Sequence, residues 1–549
     1  MNGIRNRQSD NKTAYYVITI VSFLILLQPI ARIIKLTANV PTASIILNGY
    51  NELRDYVSFR LAHFAVEGIN PYTVSFLEQT NVPFIPLYPG LNPLLVAIIC
   101  RFTGFSIMAG FYIVNLFMLS VTAFNMWLII KEFIRNRFIG ILCTVINVST
   151  FFCLFCSPLG APIFNFHTDT IGICCTSFLL LVAYKKRENT LLLAILSVLL
   201  VFTKQILLIM VLPLFIWYLI INRKLALKYF LESVVTGIVS FISVQLLFPL
   251  YWTETIYMQF SVSANYGTII DALKNIGDFY YKYYMFPVLI VLGIIGMFIF
   301  RKKAGKETKL TAVIRSLTHE ESFILYLILN IVIGTAVLLY LAKCQEDGYK
   351  FCQDILSPSL FLLLIFVWNK CFAGSITAEG KAKVYWEAAV LIALCVATTI
   401  TYSHYRASYY LRNDYAAYLE LDSAISEHEG GNMYLGMNST QYLLNRDIWE
   451  ADNIWFNDGQ IEYFVGDMYN NPVADRLFYS EEISVAANDY VDQVNSMIGN
   501  REFCLVATCR DEIIDMDLLE ANYYVSGVYW IKTDTNGSCE VKVWLPVGQ

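Results

Sequence analysis

The sequence predicts a mainly α membrane protein: a bundle of about eleven transmembrane helices with juxtamembrane helices on its outer face, followed by a C-terminal soluble α/β domain. Three observations predict it. The 549 residues are 57% hydrophobic and only 15% charged, a balance suited to facing lipid rather than to closing one soluble core. Apolar runs of bilayer length, roughly 20 residues, recur up to residue 402. From Ser403 onward the charge reverses: residues 403–549 carry 8 basic and 24 acidic side chains, against 31 and 20 in residues 1–402. The predicted division is a membrane domain, 1–402, and an extracytoplasmic domain, 403–549.

The predicted spans are 14–34, 105–130, 138–157, 168–184, 190–203, 205–222, 229–250, 285–300, 322–342, 356–369 and 385–402. The first is too long for a cleavable signal and lacks a small-residue cleavage site. The run 91–103 is shorter and follows Pro89-Gly90, so it is expected as an interfacial or re-entrant helix. Lys204 separates the fifth span from the sixth with almost no loop. With the N-terminus in the cytoplasm, the inner segments hold 21 of the 31 basic residues before Ser403, as the positive-inside rule requires. That map is multi-pass in the plasma membrane and puts the C-terminal domain outside.

In the tail, Tyr415–Glu427 and Ala486–Ile498 have helical patterning. Asn432–Gly436, Phe503–Thr508, Val525–Thr533 and Cys539–Leu545 alternate as strands. The chain has 13 cysteines without paired CxxC motifs. Cys504, Cys509 and Cys539 allow one disulfide with one thiol left over, and Cys344 and Cys352 flank another outer loop and allow a second. The five histidines lack metal-ligand spacing. The absence of a P-loop or Rossmann glycine motif argues against a cytoplasmic nucleotide-sugar site.

Four polar features fall on the outer face. A helix expected over 50–67 carries Glu52, Tyr56, Arg60 and His63 on one face, with Arg54 and Asp55 beside them. Asp169 closes Asn165-Phe166-His167-Thr168-Asp169 at the start of the fourth span, where it caps the helix or orients a hydroxyl. Lys204, in Thr203-Lys204-Gln205, snorkels to the interface or holds a phosphate. The hairpin Lys343-Cys344-Gln345-Glu346-Asp347-Gly348-Tyr349-Lys350 carries more charge than a turn demands. The tyrosine-rich loop 251–284 stacks on sugars or forms an interfacial belt.

An anion-binding set (Arg54, Lys204, Lys343, Lys350) thus shares a compartment with a carboxylate set (Glu52, Asp55, Asp169). Transfer of a sugar from a lipid phosphate uses that pairing. A carboxylate takes the acceptor hydroxyl's proton, and cations stabilise charge on the departing phosphate. No cofactor is required for this chemistry, although a divalent metal bridging carboxylate and phosphate is compatible with it.

The order of these features resembles the GT-C superfamily of polytopic glycosyltransferases, which use polyprenyl-phosphate-linked sugars, among them ArnT- and protein-mannosyltransferase-like enzymes. One span leads to Glu52 and Asp55, then a helix, Gly68-Ile69-Asn70-Pro71-Tyr72 and Leu87-Tyr88-Pro89-Gly90. Asp169, Thr203-Lys204-Gln205 and Gly348-Tyr349 ahead of Pro358 follow. The resemblance covers roughly residues 14–370. It implies an inverting transfer onto an envelope glycan, lipid or protein, with Glu52 as general base and Asp55 second, or the reverse. Arg54, Tyr88, His167, Asp169, Lys204, Lys343, Glu346, Tyr349 and Lys350 are the matching substrate-binding candidates. Two departures stand out. Asn51-Glu52 occupies the place of an adjacent acid pair, and Tyr88-Pro89-Gly90 replaces Tyr-Pro-Pro.

The rival readings are a transporter or flippase of lipid-linked saccharides, a polymerase or ligase of the same substrates, and an envelope scaffold. A transporter usually shows paired internal repeats, which this sequence lacks. A polymerase or ligase would favour a long, arginine- and histidine-rich late outer loop, whereas 343–355 is short. A scaffold leaves the acids and lysines without a role. Nothing in the composition points to nucleic acid.

Overall fold

A computed structural model of the chain describes residues 53–79, 90–134, 169–257, 317–341, 358–367, 415–428, 430–436, 453–456, 480–509, 513–532 and 538–548, with a few isolated positions between them. The first described helix, α1 (Leu53–Glu67), ends where Gly68 takes φ +81°. That left-handed residue lets the Ile69 amide reach back to the Phe64 carbonyl at 2.8 Å, a common helix stop. A short α2 (Val74–Gln79) follows. Next comes α3 (Leu91–Thr103), the expected 91–103 helix, which closes on Gly104 at φ 72°.

The described part of residues 90–367 is mainly helical. It comprises α4 (Ile107–Ile130), α5 (Asp169–Lys185), α6 (Thr190–Thr203), α7 (Val211–Ile221), α8 (Arg223–Leu247), α9 (His319–Leu341) and α10 (Pro358–Val367). The predicted break at Lys204 is present. α6 ends at Thr203, Lys204 is extended, and a 3-10 turn over Gln205–Met210 leads into α7. Two starts differ from expectation. α8 begins at Arg223 rather than 229, because the Asn222 side chain accepts from the amides of Lys224 and Leu225; Arg223, Lys224 and Lys228 therefore ride on the helix. α9 begins at His319 rather than 322, because Thr318 and Glu321 form a reciprocal capping box, with bonds of 2.9 and 3.3 Å.

Among the described residues, two helices are long and apolar enough to cross a bilayer, within Ala109–Ile130 and Arg223–Leu247. α8 turns Leu231, Val235, Ile238, Val239 and Leu246 outward. Its 25 residues span about 37 Å at 1.5 Å each, more than the roughly 30 Å of bilayer hydrocarbon. An outward apolar surface of that length suits lipid and is a liability in water. The predicted spans 14–34, 285–300 and 385–402, and most of 138–157, lie outside the described residues.

Polar and aromatic contacts fasten these helices together. Asn125 on α4 donates to Ser177 on α5 at 3.0 Å. Ser197 on α6 and Tyr229 on α8 share a hydrogen bond of 2.9 Å. Trp217 on α7 donates to both the carbonyl and the hydroxyl of Ser322 on α9, at 2.8 and 3.0 Å. Such bonds matter in a bilayer, because lipid supplies no hydrophobic drive between apolar helices. α3 and α4 approach closely over Gly110, where a methyl group would stand 2.4 Å from Cys100 Sγ.

The C-terminal part contains α11 (Tyr415–Ser426), β1 (Met433–Leu435), β2 (Ile454–Phe456), α12 (Glu481–Gly499), β3 (Leu505–Thr508), α13 (Met516–Asn522), β4 (Tyr523–Lys532) and β5 (Ser538–Pro546). The strands form one sheet in the order β2-β1-β3-β5-β4. β1 runs parallel to β2 and β3, while β5 runs antiparallel to β3 and β4. α12 is capped by Ser480 and buries Ile483, Ala487, Val494 and Ile498; its Tyr490 stacks on Trp455 of β2 at 5.6 Å. The patterning locates α11, α12, β1, β3, β4 and β5 to within a few residues and overlooks β2 and α13. Cys509 is disulfide-bonded and Cys504 is a free thiol, while Cys344 and Cys352 lie outside the described residues. α12 also packs against α2, so the sheet unit meets the first polar segment.

Candidate functional site

The described polar centre is built on the turn between α1 and α2. Asn70 folds it: its Oδ1 accepts from the Tyr72 amide at 3.1 Å, and its Nδ2 donates to the Leu247 carbonyl, the last residue of α8, at 2.9 Å. The Tyr72 carbonyl in turn accepts from the Leu250 amide at 3.0 Å. Thr73 then caps α2 through the Phe76 amide. One side chain and one carbonyl thus sew the turn between α1 and α2 to the end of α8 and the residues that follow it.

The Tyr72 ring packs edge-on to Phe248 at 5.7 Å and tilted against Tyr251 at 5.1 Å. Gly90, at the N-terminus of α3, lies over its hydroxyl. A β-carbon there would stand 3.2 Å from both Tyr72 Oη and a methyl of Leu61. Tyr72 and Gly90, separate in the sequence, therefore meet at this hydroxyl. Phe202, two residues before Lys204, joins from α6 through Tyr251 and Trp252 at 6.2 and 5.8 Å.

Beyond Trp252 the chain forms a single π-type turn, Thr253–Tyr257, carrying Glu254. Its side chain has no exposure, and neither carboxyl oxygen has a hydrogen-bond partner among the described residues. Burial holds the Glu254 carboxyl well above its ordinary 4.5, in its neutral form. Tyr72 is also raised, first by burial and then by Tyr251 and Glu254. Its hydroxyl likewise has no partner among the described residues.

Glu254 makes stability depend on pH. An unfolded chain releases this proton above about pH 4.5, whereas the folded chain keeps it. The contribution of the neutral carboxyl is therefore fully present below pH 4.5 and is lost as pH rises toward the folded value. Unfolding of wild type and Glu254→Gln, followed from pH 4 to 7, is expected to show wild type losing ground above pH 4.5, at up to about 1.4 kcal/mol per pH unit. Parallel profiles would contradict the assignment.

The sequence-selected residues distribute as follows. Lys204 is described and nearly buried, 3% exposed. Its amide closes α6 on the Leu200 carbonyl at 3.0 Å and its carbonyl accepts from Leu207 at 2.9 Å. Arg54 and Asp55 stand in the first turn of α1, and Asp169 opens α5. Glu52, Tyr88, His167, Lys343, Glu346, Tyr349 and Lys350 lie outside the described residues. Of the expected stripe on α1, Arg60 lies over the Phe64 ring at 4.8 Å and His63 is 3.4 Å from Glu67. Sequence reasoning missed Glu254. An acid enclosed by Tyr251-Trp252-Thr253 and Thr255-Ile256-Tyr257 just past an apolar run is the signal that marks it. Among the described residues, no three His, Cys, Asp or Glu side chains gather as a metal-binding group.

No protein-family model and no curated protein sequence matches the chain. The structure is similar to the crystal structure of ArnT from Cupriavidus metallidurans bound to undecaprenyl phosphate. The TM-score is 0.50 at 11% sequence identity, covering 94% of this chain and 97% of that one. The crystal structure of the same protein in the apo state gives 0.46, also at 11% identity, over 93% and 98%. The first likeness is one of fold alone, shared at a distance over nearly the whole chain.

Proposed function

We propose that this chain is a membrane-embedded glycosyltransferase that moves a sugar from a polyprenyl-phosphate donor to a cell-envelope acceptor on the extracytoplasmic face. The observation that carries the reading is the shared fold over 94% of the chain with a protein crystallised with undecaprenyl phosphate. The outer-face chemistry agrees with it. In this reading Glu52 or Asp55 takes the acceptor's proton, while Arg54, Lys204, Lys343 and Lys350 meet the charge on the departing phosphate. Tyr88, His167, Asp169, Glu346 and Tyr349 surround the sugar. The N-terminus is cytoplasmic, residues 403–549 are outside, and the cations make a cofactor unnecessary.

The test is transfer by purified protein in lipid, supplied with polyprenyl-phosphate sugars and an envelope extract. Wild type is expected to consume at least one donor. Lys204→Ala is expected to lower kcat/KM at least about tenfold, because a near-buried ammonium opposite a phosphate is worth more than a surface charge. Consumption of no donor by a well-folded wild type would return the chain to the transporter or scaffold readings.

A further inference from the structure

We propose that Glu254 and the Tyr72 hydroxyl form a subsite that binds the hydroxyl groups of a sugar, walled by the rings of Tyr251 and Trp252. The proposal rests on the glycosyltransferase reading and deepens it. Two distant segments each deliver buried polar atoms to one place: both oxygens of Glu254, and Tyr72 Oη, without partners among the described residues. A buried polar atom left without a partner is costly, and folded proteins keep few of them. The two segments are tied at Leu250, whose amide donates to the Tyr72 carbonyl at 3.0 Å and whose carbonyl accepts from the Glu254 amide at 2.9 Å, and unpartnered buried polar atoms on both are the signature of groups awaiting a ligand.

The surroundings fit a sugar. A pyranose or furanose presents apolar C–H faces and a rim of hydroxyls, which match aromatic walls and a few convergent polar groups. The wall is present: Tyr72 to Tyr251 at 5.1 Å, and Tyr251 to Trp252 edge-on at 5.0 Å. A neutral carboxyl both donates and accepts, and a tyrosine hydroxyl does the same. Gly90 supplies no side chain over that hydroxyl. The π-type turn that aims Glu254 inward is an irregularity often found at working sites. Glu254 has no exposure, so a ligand reaches it only as the cover of the cluster opens.

The test compares wild type, Glu254→Leu and Tyr72→Phe, all full length. Thermal unfolding separates a ligand-binding group from a structural one. Leucine removes an orphan carboxyl, so Glu254→Leu is expected to unfold at the same temperature as wild type or higher. Its affinity for a polyprenyl-phosphate sugar is expected to fall at least about tenfold, with affinity for polyprenyl phosphate alone unchanged, if the sugar is the donor's. If the sugar is the acceptor's, both lipid affinities hold and the acceptor KM rises about tenfold. Tyr72→Phe is expected to follow with a smaller loss. A lower unfolding temperature for Glu254→Leu, or unchanged affinities and KM, would overturn the subsite. A glycan array probed with detergent-purified protein keeps the two ideas apart. Array signal that Glu254→Leu abolishes, without any transfer, sinks the enzyme reading and leaves the subsite standing. Normal transfer with array signal equal in both proteins sinks the subsite alone.

Discussion

Glu52→Gln is expected to lower sugar transfer by about 10²–10⁴-fold, the usual contribution of a general base, or roughly 3–5 kcal/mol of barrier. Glutamine keeps the length and the hydrogen-bonding shape of glutamate but cannot take a proton from the acceptor hydroxyl. The loss should therefore fall on kcat, with the donor KM close to wild type. Asp55→Asn, three residues on and in the first turn of α1, is expected to cost less. The pH profile gives a second readout, since removing the base should flatten the ascending limb. A deeper loss in Asp55→Asn than in Glu52→Gln would exchange the two roles. Equal, wild-type rates in both would remove the first outer segment from the chemistry.

Trp217→Ala is expected to be among the most destabilising single changes, at about 3–5 kcal/mol, the range for deleting a buried tryptophan. Trp217 is 1% exposed. It stacks on Tyr326 at 5.1 Å and donates twice to Ser322, so one side chain fixes α7 to α9. Between helices in lipid the loss is dispersion and hydrogen bonding rather than water exclusion. Trp217→Phe keeps most of the ring and should recover about half. Thermal unfolding in detergent measures both. If Trp217→Ala unfolds with wild type, the α7–α9 seam does not hold the bundle.

Elements governed by local rules were legible in the sequence. The break at Lys204 was readable because a lone cation between apolar runs interrupts the pattern. β1 and β3 were readable because β-rich runs stand between polar flanks. β2 was not: Ile454-Trp455-Phe456 is too short to show a period, and only its pairing with β1 makes it a strand. The early starts of α8 and α9 depend on side-chain caps that hydrophobic windows ignore. Of the described centre, Tyr72 and Gly90 belonged to motifs visible in the chain, but their meeting did not follow from spacing. The bond that joins Asn70 to Leu247 bridges 177 positions, and Glu254, seven residues beyond Leu247, is fully buried in the fold. Its chemical character is therefore a tertiary property, beyond the reach of composition or periodicity.

The seam between α2 and α12 imposes an order on biogenesis. Roughly 400 residues separate these helices, so α2 is made long before its partner exists. At about 5–20 residues per second of synthesis, the wait is roughly 20–80 seconds. During that interval α2, which carries the buried Phe76 and Leu77, has Phe64 of α1 beside it but not yet α12. A chain released early, by a premature stop ahead of residue 481, would never form the seam between α2 and α12. Late-made α12 thus completes the packing of early-made α2, and only molecules synthesised past residue 499 receive that contact.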